Sequence, residues 1–295
     1  MQRIDSHQAW PKISIVTPSY NQGQFIEETI LSVLSQGYPN LEYIIIDGGS
    51  NDTSVEIIKQ YEQNVTYWVS EKDRGQAHAI NKGFYSSNGD ILCWLNSDDM
   101  LLPGTLLYVA KTMTLSHPML LFGNCFHMKE GEARSWGSNV KETEKKYDLK
   151  HADYIIQPSS FWNKKAWTST GLLDTKLHYG FDWDWYIRAQ ESGVQMVPTD
   201  RYLSIYRFHS NNKTSTGGQD RNMELLNIYR KYLGEDFVQL ISILRSRKTE
   251  IKAMQKWIRR VRLSRFDKNI LTIIFPSIYK KIAPSAVEGI LSMFL

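Results

Sequence analysis

A chain of 295 residues can bury a full hydrophobic core, as one large domain or as one domain with an appendage. A hydrophobic share of 42% and a charged share of 22% are those of an ordinary globular protein, and a net charge of +4 is too small to imply a nucleic-acid partner. Cys93 and Cys125 lack metal-ligand spacing and disulfide density, and both sit in apolar runs, so buried thiols in a reducing compartment are expected.

The chain opens Met1-Gln2-Arg3-Ile4-Asp5, without an apolar signal core. Ile13 to Thr17 is a short β-rich run that stops at Pro18, and Phe25 to Leu34 carries apolar residues at helical spacing. Tyr43 to Ile46 reads as a second buried strand, ending at Asp47-Gly48-Gly49-Ser50. Val55 to Tyr61 suggests a second helix, Val65 to Val69 a third strand, Ala77 to Tyr85 a third helix and Ile91 to Leu95 a fourth strand. Strands apolar throughout and separated by helices predict a parallel sheet covered on both faces. Ligands of such sheets bind beyond the carboxyl ends of the strands. Four polar clusters fall there: Pro18-Ser19-Tyr20-Asn21, Asp47-Gly48-Gly49, Glu71-Lys72-Asp73 and Asn96-Ser97-Asp98-Asp99.

The stretch from Gly123 to Asp153 is less regular, with weak strand signals. Gln157 to Trp162 looks like a strand leading into Lys164-Lys165, and Phe181 to Arg188 like a helix start with acids in its first turn. Tyr202 to His209 alternates like a strand ending in a histidine. From about Gln239 the chain becomes basic and amphipathic: Arg245, Arg247, Lys248, Lys252, Lys256, Arg259, Arg260, Arg262 and Arg265 interleave with Ile251, Met254, Trp257, Ile258, Val261 and Leu263. No run of about 18 apolar residues occurs, so a simple transmembrane helix is not expected.

The most telling feature is the end of the Ile91–Leu95 run at Asp98-Asp99, with Asn96 just before. Adjacent carboxylates at a strand end repel each other unless a positive group neutralises them. A divalent cation carrying a diphosphate does this, because hard cations prefer oxygen ligands. The plain alternative is that both acids cap the turn before Pro103-Gly104.

Taken in order, Thr17-Pro18-Ser19-Tyr20-Asn21, Asp47-Gly48-Gly49-Ser50-Asn51-Asp52-Thr53, Ser70-Glu71-Lys72-Asp73-Arg74-Gly75 leading to Ala79-Ile80-Asn81-Lys82-Gly83, and Asn96-Ser97-Asp98-Asp99 resemble glycosyltransferase family 2. The match covers roughly the first hundred residues, and Asp182-Trp183-Asp184 and His209 extend it to about residue 215. The resemblance implies an α/β GT-A fold, Rossmann-like, with a mostly parallel sheet flanked by helices. It implies a nucleotide-sugar donor, a divalent metal (Mn2+ or Mg2+) and inversion at the anomeric carbon. On this reading residues 1–236 are the catalytic domain, with a nucleotide-binding half at about 11–105 and an acceptor half at about 106–236. Residues 237–295 are a basic helical tail.

The resemblance also assigns roles. Asp99 ligates the metal, Asp98 contacts ribose or shares the metal, and His209 ligates the metal or contacts the diphosphate. Asn96, where relatives often carry Asp, hydrogen-bonds a ribose hydroxyl without adding charge. Asp47 accepts from the base, although the second acid common in relatives is here Gly48. Tyr20 stacks on the base and Pro18 fixes the turn presenting it. Asn21, Asp73 and Arg74 belong to the nucleotide pocket, with a solvated loop charge as the alternative for Arg74. Asn81 bonds a pocket loop or its own helix backbone, and Arg207 and Lys213 are further phosphate candidates.

The acceptor hydroxyl needs a base, and a carboxylate serves near neutral pH only when partly desolvated. Asp182, between Phe181 and Trp183, has the aromatic setting for that; a helix cap is its alternative role. Asp184 is the second candidate, and Arg188 one turn later is positioned to pair with it.

These readings converge on a metal-dependent hexosyl-type transferase acting on a glycan or lipid-linked glycan acceptor in polysaccharide or glycolipid biosynthesis of the cell envelope. The expected location is cytoplasmic, with the tail contacting the inner face of the membrane; a helix packed on the domain, or a dimer contact, is the alternative for the tail. A non-catalytic nucleotide-sugar-binding protein is the competing function. A nucleotidyltransferase would want a glycine- and arginine-rich phosphate loop after the first strand, which Thr17 to Asn21 is not.

Overall fold

The computed structural model describes residues 9–129, 135–210, 212–260, 267–279 and 281–294. The opening Met1 to Asp5 and, in the tail, Val261, Arg262, Leu263 and Arg265 lie outside the described residues.

The first half alternates strand and helix as expected: β1 (Ile13–Ser19), α1 (Ile26–Leu34), β2 (Leu41–Asp47), α2 (Ser54–Gln60), β3 (Tyr67–Ser70), α3 (Gln76–Tyr85) and β4 (Ile91–Trp94). Next come β5 (Met100–Leu101), α4 (Thr105–Thr112), β6 (Met119–Lys129), β7 (Ser135–Gly137) and α5 (Val140–Lys146). A 3-10 turn at Gln157–Ser159 leads into β8 (Ser160–Asn163), α6 (Lys164–Thr170), α7 (Phe181–Glu191), β9 (Gln195–Phe208) and α8 (Lys213–Thr216).

One sheet runs β3-β2-β1-β4-β8-β6-β9-β5, with β7 paired to β6. β1 pairs in parallel with β2 and β4, and β2 with β3. The second half is mixed: β8 is antiparallel to β4 and β6, while β6 and β9 run parallel. Ile13, Ile15, Ile45, Ile91 and Cys93 are fully buried, and each large aliphatic side chain so buried contributes about 1.5–3 kcal/mol. β6 is the strand that the irregular pattern after Gly123 hides. It is buried from Met119 to Cys125 and then emerges, so apolar and alternating patterns meet within one strand.

The chain divides into two compact units, Met1–Lys141 with Ile155–Thr216, and Glu142–Tyr154 with Gly217–Leu295. The sequence reading draws its boundary at 236, but the second unit already includes α9 (Gly218–Leu233). Within that unit Leu225, Ile228 and Tyr229 of α9 are buried, and the Tyr229 hydroxyl donates to the His151 carbonyl at 2.7 Å. These contacts join α9 to residues distant in sequence, so charge pattern does not mark the boundary. The unit continues through α10 (Glu235–Ser246), α11 (Lys248–Arg260), α12 (Asp267–Ile274), α13 (Pro276–Tyr279) and α14 (Pro284–Met293).

Close packing of α3 on β1 sets the floor of the first unit. A Cβ built on Gly83 would lie 2.3 Å from Cγ1 of Val16, which is itself fully buried. Gly83→Ala is therefore expected to cost about 1–3 kcal/mol through overpacking. Val16→Ala in the same chain should return part of that loss. Urea unfolding of the two single variants and the double variant measures the coupling; additive losses would show that the contact is not tight.

Candidate active site

Pro18 and Ser19 at the end of β1, Gly48 and Gly49 after β2, and Trp94 at the end of β4 open onto a cavity of about 630 Å³. Its other walls come from Lys72, Asp73, Gln76, Asn96, Asp98, Gln157, Tyr179, Phe181, Asp182, Tyr206, Asn212 and Lys213. The cavity thus lies beyond the carboxyl ends of the parallel strands, as the sheet type requires.

The two acids after β4 point different ways. Asp98 lines the cavity, its Oδ2 lying 3.1 Å from Nε2 of His209 and 3.4 Å from Nδ2 of Asn212. Asp99 is buried beneath it and accepts from the Arg207 backbone N–H at 3.2 Å. Burial, and then the charge of Asp98, hold the Asp99 carboxyl well above the usual carboxylate range. In the turn Asn96–Asp99, closed by Asp99 N–H donating to the Asn96 carbonyl at 3.0 Å, Asp98 lines the cavity while Asp99, the expected metal ligand, is buried.

Arg207 locks this turn in place. Its Nε donates to the Asp98 carbonyl, Nη1 to Glu28, and Nη2 to the Phe25 carbonyl (3.2 Å) and Thr29 Oγ1 (3.3 Å). Thr29 Oγ1 in turn donates to the carbonyls of Ser97 (2.9 Å) and Asp99 (2.7 Å). Arg207 is thus spent on structure rather than on phosphate. Lys213 does line the cavity, its Nζ 3.1 Å from Gln76 Oε1 and over the Phe181 ring at 5.5 Å.

Asn96 sits in a chain of amides. Gln76 donates to its Oδ1 at 2.8 Å, it donates to Gln157 Oε1 at 3.0 Å, and Gln157 donates to the Trp94 carbonyl at 2.7 Å. The expectation for Asn96 named neither glutamine. Gln76 heads a helix and Gln157 precedes a proline, and neither position carries a sequence signal for the cavity.

Pro18, Tyr20, Asp73, Asn96, Asp98 and Asp182 come together around the cavity. Tyr20 stands at the rim, 61% exposed. Asp47 does not line the cavity: it is fully buried, and accepts from the backbone of Gly49 and Ser50 and from the hydroxyls of Ser50 and Ser70. Asn21, at φ +51°, ties two loops together by accepting from Asn51 N–H (3.0 Å) and donating its own N–H to Ser50 Oγ (2.8 Å). Arg74 lines a separate shallow depression with Asn81, Tyr85 and Leu172. His209 is buried behind Asp98 with its ring 4.3 Å from that of Phe25, and its Nδ1 has no hydrogen-bond partner. Asn81 takes the loop option, bonding both backbone groups of Leu173.

Gly48 explains its own departure from the expected second acid. A Cβ there would lie 2.8 Å from Asp73 Oδ2, so the Asp73 carboxylate occupies the space that a side chain at 48 would fill. Asp73 is held by the Gly75 N–H at 2.7 Å. In α7, Asp184 is buried and paired with Arg188 at 2.9 Å, and Arg188 also donates to the carbonyls of Thr170 and Leu172. Asp184 is therefore a structural acid, and Asp182 is the α7 carboxylate that lines the cavity.

The family model for glycosyl transferase family 2 matches residues 14–169. The chain belongs to this family. Asp182 and His209 lie beyond the matched stretch. An uncharacterized glycosyltransferase of Haemophilus influenzae is 36% identical over 117 residues, 39% of this chain and 47% of that protein. The chain thus spans about half the length of that relative. A Campylobacter jejuni GalNAc(5)-diNAcBac-PP-undecaprenol beta-1,3-glucosyltransferase is 25% identical over 79% of this chain and 74% of its own length. The mannosyltransferase PcManGT of Pyrobaculum calidifontis, solved with GDP-Man and Mn2+, superposes with a TM-score of 0.58 at 16% identity, over 78% of this chain and 68% of that one. The architecture is the GT-A type that the family resemblance implies.

The raised Asp99 pKa has a definite sign. A carboxyl whose folded-state pKa exceeds its unfolded value of about 4 favours folding below that value and loses this contribution as pH rises through the folded-state pKa. Asp99→Asn removes the titration. In chelator, its melting temperature relative to the parent should therefore climb as pH is raised from acid to neutral. A pH-independent difference would contradict the buried placement of Asp99.

Proposed function

We propose that this protein moves a sugar from a nucleotide-diphosphate donor to a hydroxyl of a glycan or lipid-linked glycan, with inversion, in the building of a bacterial surface polysaccharide or glycolipid. The observation that carries the reading is that Asp98, in the turn after β4, and Asp182, in α7, line one cavity together with Lys213. The Campylobacter relative, whose name specifies a lipid diphosphate glycan, supports the acceptor class.

Asp98 and His209 would hold the divalent metal, Mn2+ or Mg2+. A carboxylate oxygen and an imidazole nitrogen 3.1 Å apart are a fitting donor pair, and among the described residues no cluster of three acid, histidine or cysteine ligands occurs. Phosphate oxygens and water would complete the shell, as in sites that take few ligands from protein. When bound, the metal neutralises charge on the diphosphate.

The chain's own residues do the rest. Asp73 receives the base, over the gap left by Gly48, and Tyr20 covers it at the rim. Lys213 places a positive charge toward the leaving diphosphate. The acceptor oxygen bonds the anomeric carbon as the bond from that carbon to the diphosphate oxygen breaks, and Asp182 takes the hydroxyl proton. A general base contributes about a hundred- to ten-thousand-fold in rate.

Donor affinity and transfer rate, measured with Mn2+ across a panel of nucleotide sugars, test the assignment. Asp182→Asn should bind donor as the parent does and lose transfer by roughly a hundredfold or more. Asp98→Asn should lose metal-dependent donor binding itself. Parental transfer by Asp182→Asn would refute the base, and full activity in excess chelator would refute the metal. Donor binding without transfer to any acceptor, in the parent, would favour the non-catalytic alternative.

We further propose a cytoplasmic location with contact to anionic membrane surfaces through α11. No helix among the described residues is long and apolar enough to cross a membrane. Ile251 and Ile258 are buried, so the apolar stripe of α11 is used in packing, while Lys252, Lys256 and Arg260 are exposed beside Trp257 at 49%. A basic face with an interfacial tryptophan suits a phosphatidylserine surface. Lys252→Glu with Lys256→Glu should weaken co-sedimentation with such vesicles by about 2 kcal/mol or more, at about 1 kcal/mol per lysine removed. Unchanged sedimentation would rule this face out.

A further inference from the structure

Tyr206 belongs to two structures at once. It lines the cavity, and it starts a row of aromatic rings that leads away from it across the sheet. In the strand register Tyr206 of β9 lies beside His127 of β6, and His127 beside Trp136 of β7. Side chains in register share a face, and Phe208, two residues after Tyr206, joins them there. The rings are in contact. His127 stacks on Trp136 at 5.4 Å and 19°, Trp136 on Phe208 at 5.5 Å and 20°, and Tyr206 meets Phe208 at 4.7 Å.

The row is not a closed core. Trp136 is 46% exposed, on a strand that among the described residues pairs with β6 alone. Burial lowers the His127 pKa, which favours the neutral ring, while Lys129, in register with Phe208, adds a charge on the same face. An open aromatic face continuous with a catalytic cavity suits a ligand that is flat, uncharged and polar at its edges. A pyranose ring fits: one face presents C–H bonds to the negative face of an aromatic ring, and its hydroxyls remain in water at the rim.

We propose that Tyr206, His127, Trp136 and Phe208 form the acceptor track of this enzyme, with Trp136 as the stacking platform for a pyranose of the acceptor glycan. The proposal rests on the glycosyltransferase reading given above. Trp136 stands two strand spacings from Tyr206, roughly 10 Å. It therefore holds a sugar behind the one whose hydroxyl reacts, and the track selects an oligosaccharide over a single sugar.

The test uses the full chain on an array of pyranose oligosaccharides of increasing length, without donor. The parent should bind oligosaccharides and not the single sugars. Trp136→Ala should lose about tenfold in affinity, the scale of one aromatic stacking contact, and Trp136→Phe should keep most of it. Phe126→Ala, next to His127 but on the opposite face of β6 and 37% exposed, should bind like the parent. No oligosaccharide binding by the parent, or equal binding by Trp136→Ala, overturns the proposal. A change of oligomeric state in Trp136→Ala on size exclusion also overturns it, in favour of a contact between copies. Mn2+-dependent binding of UDP and GDP, measured in parallel, separates the two levels. Its loss in the parent would count against the donor reading, whereas parental nucleotide binding in Trp136→Ala with weakened glycan binding supports the track.

Discussion

The guanidinium of Arg207 is the fastening on which the cavity depends. One side chain reaches the turn carrying Asp98, the first turns of α1 and, through its own backbone, the buried Asp99. A planar group with five donors can satisfy carbonyls, a hydroxyl and a carboxylate at once, which an ammonium on a flexible stem cannot. With the turn fixed from below, Asp98 is left facing outward and Asp99 inward. Two adjacent acids thus avoid competing for the same space. The Glu28 partner is largely exposed and adds little energy by itself, so the fastening draws its strength from the buried carbonyl and hydroxyl bonds.

A second constraint is the economy of charge around the cavity. Where a second acid is expected at 48 the chain has glycine, and Asp73 reaches into the gap. Where an acid is expected at 96 the chain has asparagine, held between two glutamines. Both departures remove a fixed negative charge while keeping the position filled. The amide chain ends at Lys213, so polarity runs from the Trp94 carbonyl to a cation without a carboxylate in between.

The sequence was most legible where apolar runs are short and bounded. The first four strands and three helices, and the polar clusters that follow them, are read from spacing alone because β1, β2 and β4 are buried on both faces and only the edge strand β3 is partly open. The second half resists such reading because β6 and β9 pass from core to surface within one strand. The site follows the same division. Asp98, Asp73 and Asp182 reach the cavity as their motifs suggest. Which of two neighbouring acids faces outward is set by Arg207, more than a hundred residues away, and nothing local to Asp98-Asp99 encodes it. Asp47 and Asn21 look like ligands in sequence because polar residues at strand ends also hold loops together. Asp184 was separable in advance, since an arginine four residues on is the expected partner of a helical acid.

Gly83 has a consequence for reshaping the cavity. It touches no part of the cavity, yet its missing side chain lets α3 settle onto Val16, and α3 begins at Gln76, roughly 10 Å away along the helix axis. Residue 83 acts as a shim of zero thickness under a rigid rod whose far end forms a wall. A thicker shim, matched by trimming Val16, would tilt that wall while every residue lining the cavity stayed the same. The shape of the cavity can therefore be tuned from beneath the helix, in a place where a search confined to cavity-lining positions would never look.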